Sequence, residues 1–189
     1  MGLFDWFKKS KSFPEPRTLA WYAKHAKEAK MAVADPVEMA EIVSIIERNA
    51  AKYIQVEKAT KVPWRLIAAI HYMESSLDFR RNLHNGEPWD QRTKLEPVGR
   101  GPWNSWVEAA IDALKYDGLT GVINWDLAKM LYYAEQYNGL GYYHKGVMSP
   151  YIWAWTDKYT TGLYVRDHVY KEHVKFDSCG VYMVIMCLE

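Results

Sequence analysis

Glu74 closes an apolar run, Val62-Pro63-Trp64-Arg65-Leu66-Ile67-Ala68-Ala69-Ile70-His71-Tyr72-Met73-Glu74, and Ser75-Ser76 follow it. Ile67, Ile70 and Glu74 fall at i, i+3 and i+7, so one helical face carries all three. The spacing predicts a carboxylate at the edge of a buried stripe, where helix gives way to loop. Partial desolvation there raises a carboxyl pKa. A carboxyl that keeps its proton near neutral pH can pass it to a leaving oxygen, as glycosidic cleavage requires. The plainer alternative is a Glu that ends a helix and points to water.

Such a residue needs a scaffold, and helical segments surround it in the sequence. Thr18 can cap a short helix to Lys30, with Leu19, Tyr22, Ala23 and Ala26 on one side. Asp35-Pro36-Val37-Glu38 is a strong helix start: an N-cap, Pro at the first position and an acid at the third. Met39, Ile42, Val43, Ile46, Ala50, Tyr53 and Ile54 then repeat every 3.6 residues and read as one helix. Residues 78–102 hold Gly86, Pro88, Pro97, Gly99, Gly101 and Pro102 with few aliphatic side chains, the mark of a loop or short hairpin. Its length exceeds an ordinary connection, which favours a functional role. Helices resume over residues 105–116, with Trp106, Ala109, Ala110, Ala113 and Leu114 inside, and over residues 125–138, with Leu127, Leu131, Ala134 and either Tyr137 or Tyr133 inside. Gly139 ends the second. A Tyr- and Trp-rich stretch runs to Tyr164, and residues 178–188 read as a closing apolar helix or strand.

The 189 residues suffice for one well-packed domain. Nine Trp and fourteen Tyr imply a dense core, a cleft that stacks flat rings, or both. A net charge of +1 argues against nucleic acid as the main partner. Cys179 and Cys187, two turns apart if one helix holds them, are too distant to bridge and read as reduced, small hydrophobes, as in a reducing cytoplasm. No apolar run reaches transmembrane length, and no secretory signal opens the chain. Residues 1–16 differ from the rest. Leu3, Phe4, Trp6 and Phe7 crowd one side of a short helix, and Lys8, Lys9 and Lys11 follow, the pattern of an interfacial helix on an anionic bilayer. Docking of those aromatics on the protein's own domain is the alternative. Phe13-Pro14-Glu15-Pro16 then reads as a hinge.

Three motifs occur in order: Glu74-Ser75-Ser76-Leu77-Asp78-Phe79, then Ala134-Glu135-Gln136-Tyr137-Asn138-Gly139-Leu140-Gly141, then Ser149-Pro150-Tyr151 with Tyr159 and Tyr164 beyond. Together they resemble the lysozyme-like superfamily, especially soluble lytic transglycosylases, goose-type lysozymes and phage endolysins. The first looks like that group's Glu-Ser motif, whose Glu is the catalytic acid at a helix end. The second is similar to its Ala-Tyr-Asn-x-Gly motif, whose Tyr and Asn line the sugar cleft. The third resembles its Pro-Tyr-and-aromatic segment. Asn82-Leu83-His84-Asn85-Gly86-Glu87-Pro88 resembles an Asn-x-His-Asn-Gly-Asp/Glu-Pro element of a further branch in phages and bacteria. The resemblance covers residues 55–188. It departs from ordinary transglycosylases after Glu74, where their Gly-Leu-Met-Gln motif is replaced by the His-Asn-Gly-Glu-Pro loop, so hydrolysis and transglycosylation both stay open.

The resemblance implies a mostly α (α+β) domain over residues 17–189, with a small hairpin or loop beside the cleft. It implies peptidoglycan as substrate, cut between N-acetylmuramic acid and N-acetylglucosamine, with Glu74 protonating the bridging oxygen. Positive charge then develops on the sugar ring, and a second carboxylate is the usual stabiliser. Asp78, Glu87, Asp90 and Glu96 are the loop candidates. Glu87 leads, in a constrained turn between Gly86 and Pro88. Asp90 follows, paired with Thr93 to hold a water. With neither in place, the substrate's own N-acetyl group or muramyl hydroxyl completes the reaction, the latter giving an anhydro product. Ser75, His84, Asn85, Tyr137, Asn138 and Tyr151 are the expected substrate-binding residues; Tyr151 and Trp153 are candidate sugar-stacking rings, with core packing the favoured role of Trp153.

No metal or other cofactor is expected: His71, His84, His144, His168 and His173 show no ligand spacing. A P-loop and a nucleophile elbow are also lacking. The expected role is an endolysin-like lysozyme or muramidase, made in the cytoplasm and acting as a monomer at the bacterial wall, with peripheral membrane contact through residues 2–11. A lytic transglycosylase, a chitinase-like hydrolase and a non-catalytic wall-binding protein are the alternatives.

Overall fold

The apolar run ending at Glu74 forms α4 (Trp64–Ser75), in which Leu66, Ile67, Ala68, Ala69, Ile70 and His71 are fully buried. A helix apolar on every side belongs at the centre of a core, and α4 lies there, packed against α3 (Ala50–Thr60) and α9 (Val181–Cys187). This computed structural model describes residues 17–166 and 168–188. The amphipathic start and its linker, residues 1–16, lie outside the described residues.

Helix starts follow their caps. Thr18 accepts from the Trp21 amide (3.2 Å) at the head of α1 (Leu19–Glu28), and Asp35 accepts from the Val37 and Glu38 amides (2.9 and 3.0 Å) at the head of α2 (Pro36–Arg48). The stripe from Met39 to Ile54 is split in two. Asn49 leaves helical geometry at φ −110°, ψ 10°, and its side chain donates to the Ile45 carbonyl (2.9 Å). The periodicity crosses the break unharmed, with Met39, Ile42 and Ile46 buried from α2 and Tyr53 and Val56 from α3.

Ser105 caps α5 (Trp106–Tyr116), which packs on α3 and leads into a 3-10 turn at Leu119–Gly121. Asp126 caps α6 (Leu127–Tyr137), which lies along α1 and ends at Gly139 (φ +85°). Short helices α7 (Gly141–Lys145) and α8 (Pro150–Trp153) follow. An antiparallel pair comes next, β1 (Leu163–Arg166) with β2 (Val169–Lys171). Leu163 faces Lys171 and Tyr164 faces Tyr170, and a bulge follows Tyr164.

The closing stretch is a helix. In α9, Val181, Met183, Val184 and Ile185 are fully buried, and the helix touches α2, α4, α6 and α8. Its approach to α8 requires glycine: a Cβ on Gly180 would lie 2.6 Å from the Ile152 carbonyl oxygen. Trp153 takes the favoured core role over sugar stacking: it is fully buried, packed against Trp21, His25 and Tyr182.

The fold is mostly α with one small two-stranded sheet among the described residues. Residues 78–102 are a loop with one β-bridge, Arg81 to Pro88, as one of the two readings had it, and the hairpin lies at residues 163–171. Cys179 and Cys187 are both free thiols. No described helix is long and apolar enough to cross a membrane.

Candidate active site

Helix α4 ends abruptly beside Glu74. Ser76 (φ 51°) and Leu77 (φ 62°) are both left-handed, an unfavourable geometry for two successive residues that are not glycine. Their amides close the helix by donating back to the carbonyls of Tyr72 (2.9 Å) and His71 (3.4 Å), and the Ser75 hydroxyl donates to His71 as well (3.2 Å). Leu77 is buried and anchors the turn. Glu74 is thereby held at the lip of the core. It opens onto a pocket of about 480 Å³ that it shares with Ser75, Asp78, Arg81, Asn85 and Gly86.

Tyr151, from α8, donates its hydroxyl to Glu74 Oε1 (2.9 Å). Burial raises the Glu74 carboxyl to about 7. The Tyr151 hydrogen bond opposes that rise, and the charge of Asp117 adds to it. Tyr151 is only 6% exposed, so it serves as a donor to the acid and not as a stacking platform. Tyr137, at the end of α6, donates to the Leu83 carbonyl (2.6 Å). Both phenols are pushed well above their usual range, by burial first and then by the charges of Glu74 and Asp117.

Asp117 is an acid near Glu74 that motif reading missed. It caps the C-terminus of α5 at the surface, and partial desolvation raises its carboxyl to about 6, with Arg100 pulling the other way. One sequence signal was available. The end of a helix carries partial negative charge, so an acid at that position opposes the helix dipole.

Arg100 is fixed beside it. The guanidinium grips Asp112 on α5 through Nε (2.8 Å to Oδ2) and Nη2 (to Oδ1), and lies 5.0 Å from the Tyr116 ring centre. His84 Nε2 lies 3.0 Å from the same Asp112 Oδ2. The His84 side chain is fully buried and stacks on Trp103, and its pKa falls, chiefly through burial. His84 therefore ties the loop to α5 and does not face the pocket.

The other loop candidates are occupied in knitting the loop. Glu87 Oε2 accepts from the Leu95 and Lys94 amides (3.0 and 2.9 Å), which holds its carboxyl below the usual range. Thr93 is buried, with its hydroxyl bonded to the Pro97 carbonyl and the Arg100 amide, leaving none to hold a water. Asp90 is exposed on a different pocket, of about 430 Å³, with Arg80 and Trp89. Asp78 pairs with Arg80 and Arg81. Glu87, Asp90 and Thr93 are thus not gathered around Glu74.

Asn85 both knits the loop, through Leu95 and Glu96 (3.2 Å each), and lines the pocket of Glu74. Gly86 (φ +73°) sets the fit, since a Cβ there would lie 3.1 Å from the Glu74 carbonyl oxygen. Asn138, the C-cap of α6, is exposed and lines a separate pocket near the hairpin. The structure therefore gathers Glu74, Ser75 and Asn85 around one pocket, with Tyr151 bonded to the acid and the charges of Glu74 and the unforeseen Asp117 acting on Tyr137. Among the described residues no cluster of three or more His, Cys, Asp or Glu side chains is arranged to hold a metal ion. Compared with known protein families, curated proteins and solved structures, the chain matches none of them.

Proposed function

We propose that the protein cleaves the glycan strand of peptidoglycan between N-acetylmuramic acid and N-acetylglucosamine, with Glu74 as general acid. The observation that supports this reading is a single carboxyl, raised to about 7, held by Tyr151 and open to a pocket. Tyr151 occupies Oε1, which leaves Oε2 to carry the proton. Glu74 gives that proton to the bridging oxygen as the bond from the anomeric carbon breaks. The Tyr151 hydroxyl then stabilises the carboxylate left behind. Asp117, ionised above about pH 6, takes the place first assigned to Glu87, stabilising the positive sugar ring or activating a water.

Transglycosylation is the second reading, favoured by the titration of Glu74 near neutrality. A group equally ready to give and to take a proton suits a reaction in which the acid later acts as base. Digestion of purified sacculi and mass spectrometry of the products separates the possibilities. Reducing muramic ends mark hydrolysis and anhydro ends mark transglycosylation. Glu74→Gln is expected to lower either product by at least about a hundredfold. Undiminished products from that variant, or none from the wild type, would end the proposal.

The aromatic and lysine residues among positions 2–11 support peripheral contact with an anionic membrane face on the way to the wall. Deleting residues 2–12 is expected to reduce sedimentation with anionic liposomes, and unchanged sedimentation would remove the idea.

A further inference from the structure

A second pocket, of about 460 Å³, lies where the end of α6 meets the hairpin. Its walls are Tyr142 and Tyr164, its rim is Asn138 and Gly141, and Arg166 and His168 face it from the hairpin. The aromatic walls are locked. The Tyr142 hydroxyl accepts from the Tyr164 amide (3.1 Å), the two rings meet edge to face at 5.0 Å, and Tyr164 packs so closely on Gly141 that a Cβ there would lie 3.2 Å from the ring. The bulge between Tyr164 and Arg166 interrupts the alternation of β1, and both residues line the pocket. His168 adopts φ 60° at the hairpin tip, a conformation that costs energy outside glycine.

Two polar groups of this pocket are unspent. Among the described residues Arg166 has no ion pair, and the Asn138 side-chain amide has no hydrogen bond. More positive charge stands nearby. The Lys145 ammonium lies 4.3 Å from the Tyr170 ring centre, and that ring packs on Tyr164 at 5.2 Å. Glu172, just past β2, adds its charge to the burial that raises the Tyr170 phenol. An exposed guanidinium beside flat apolar walls and a free amide suits a ligand with a carboxylate, an apolar face and an amide. Asn138 connects the two pockets in the chain, following Tyr137, which borders Glu74.

We propose that this pocket is a subsite for the carboxylate-bearing part of the glycan substrate, with Arg166 as the anion-binding residue. The proposal rests on the glycan-cleaving reading of Glu74 for its choice of ligand. Two carboxylates are available on such a strand, one on the lactyl ether of muramic acid and one on the peptide attached to it.

The test is a nuclear magnetic resonance titration of the full chain carrying Glu74→Gln, with and without Arg166→Gln. Three probes are compared: N-acetylmuramic acid, N-acetylmuramyl-alanyl-isoglutamine, and the neutral trimer of N-acetylglucosamine. Arg166→Gln is expected to weaken at least one acidic probe about tenfold and leave the neutral trimer unchanged, with Arg166→Lys recovering part of the loss. The acidic probe that responds identifies which carboxylate is read. Equal weakening of acidic and neutral probes, no effect on any, or no binding of either acidic probe would each overturn the proposal. Because these titrations involve no bond cleavage, they stand apart from the sacculus digestion that tests Glu74 itself.

Discussion

A carboxyl titrating near 7 beside one titrating near 6 leaves a narrow interval in which the first is protonated and the second is ionised. If both forms are required, kcat/KM follows a bell, with limbs near pH 6 and pH 7 that belong to the pair jointly. Asp117→Asn is expected to remove the acid limb. It should also move the alkaline limb downward, because the charge that raises Glu74 is gone. A pH–rate profile on solubilised glycan checks both, and an unmoved alkaline limb would count against Asp117. At this scale the placement of a side chain is legible where it belongs to a local pattern. Glu74 was visible from the apolar stripe beneath it. Asp117 was not, because its partners Arg100 and Glu74 come from other segments and meet only in the folded chain. Glu87 misled for the converse reason. Its turn looked constrained, but the constraint is its own grip on the Lys94 and Leu95 amides.

Helix α4 carries two titrating groups with opposite effects on stability. His71 is buried, and desolvation lowers it from 6.5 to about 4. Its contribution is complete above pH 6.5 and is lost as pH falls toward 4. Glu74 is raised from 4.5 to about 7, so its contribution is complete below pH 4.5 and is lost as pH rises through 7. Glu74→Gln removes only the second effect. The variant is therefore expected to gain stability over the wild type as pH climbs from 4.5 to 7, by up to roughly 3 kcal/mol, and to hold that gain above 7. Urea unfolding at pH 5 and pH 8 measures it, and an equal difference at both values would mean that Glu74 is not desolvated. The helix starts at Thr18, Asp35 and Ser105 were legible, because those residues cap their helices through local bonds, whereas the cap at Asp126 was passed over for a start at Trp125. The break at Asn49 was hidden, since the helical stripe stays in phase across it. The interior of the 78–102 loop was also hidden, since hydrogen bonds such as Asn82 to Glu87 and Thr93 to Arg100 leave no periodic trace.

Across the whole molecule, one ion pair ties the start of the described chain to its far half. Arg17 donates to Glu135 on α6 and to the Val147 carbonyl, and Tyr22 donates to the other oxygen of Glu135. The Glu135 side chain is fully buried, and burial raises its carboxyl despite Arg17. Arg17→Met is expected to cost about 3–5 kcal/mol by leaving that carboxylate without its partner, and a second change, Glu135→Gln, should restore most of the loss. Denaturant midpoints for the single and double variants decide the matter, and a single variant within 1 kcal/mol of the wild type would contradict it. Most individual helices were readable from caps and periodicity, while the closing one was left open between helix and strand. The pairing of distant partners such as Arg17 with Glu135 was not.

Helix α9 has a consequence for how such a protein comes into being. Part of the cover over the Glu74-bearing helix is supplied by residues 181–187, more than a hundred positions downstream of it, and the rest chiefly by α3, just upstream. Until residues 181–187 are made, the helix that carries the acid lacks one of its two main packing partners, so its surroundings are completed from both directions along the chain.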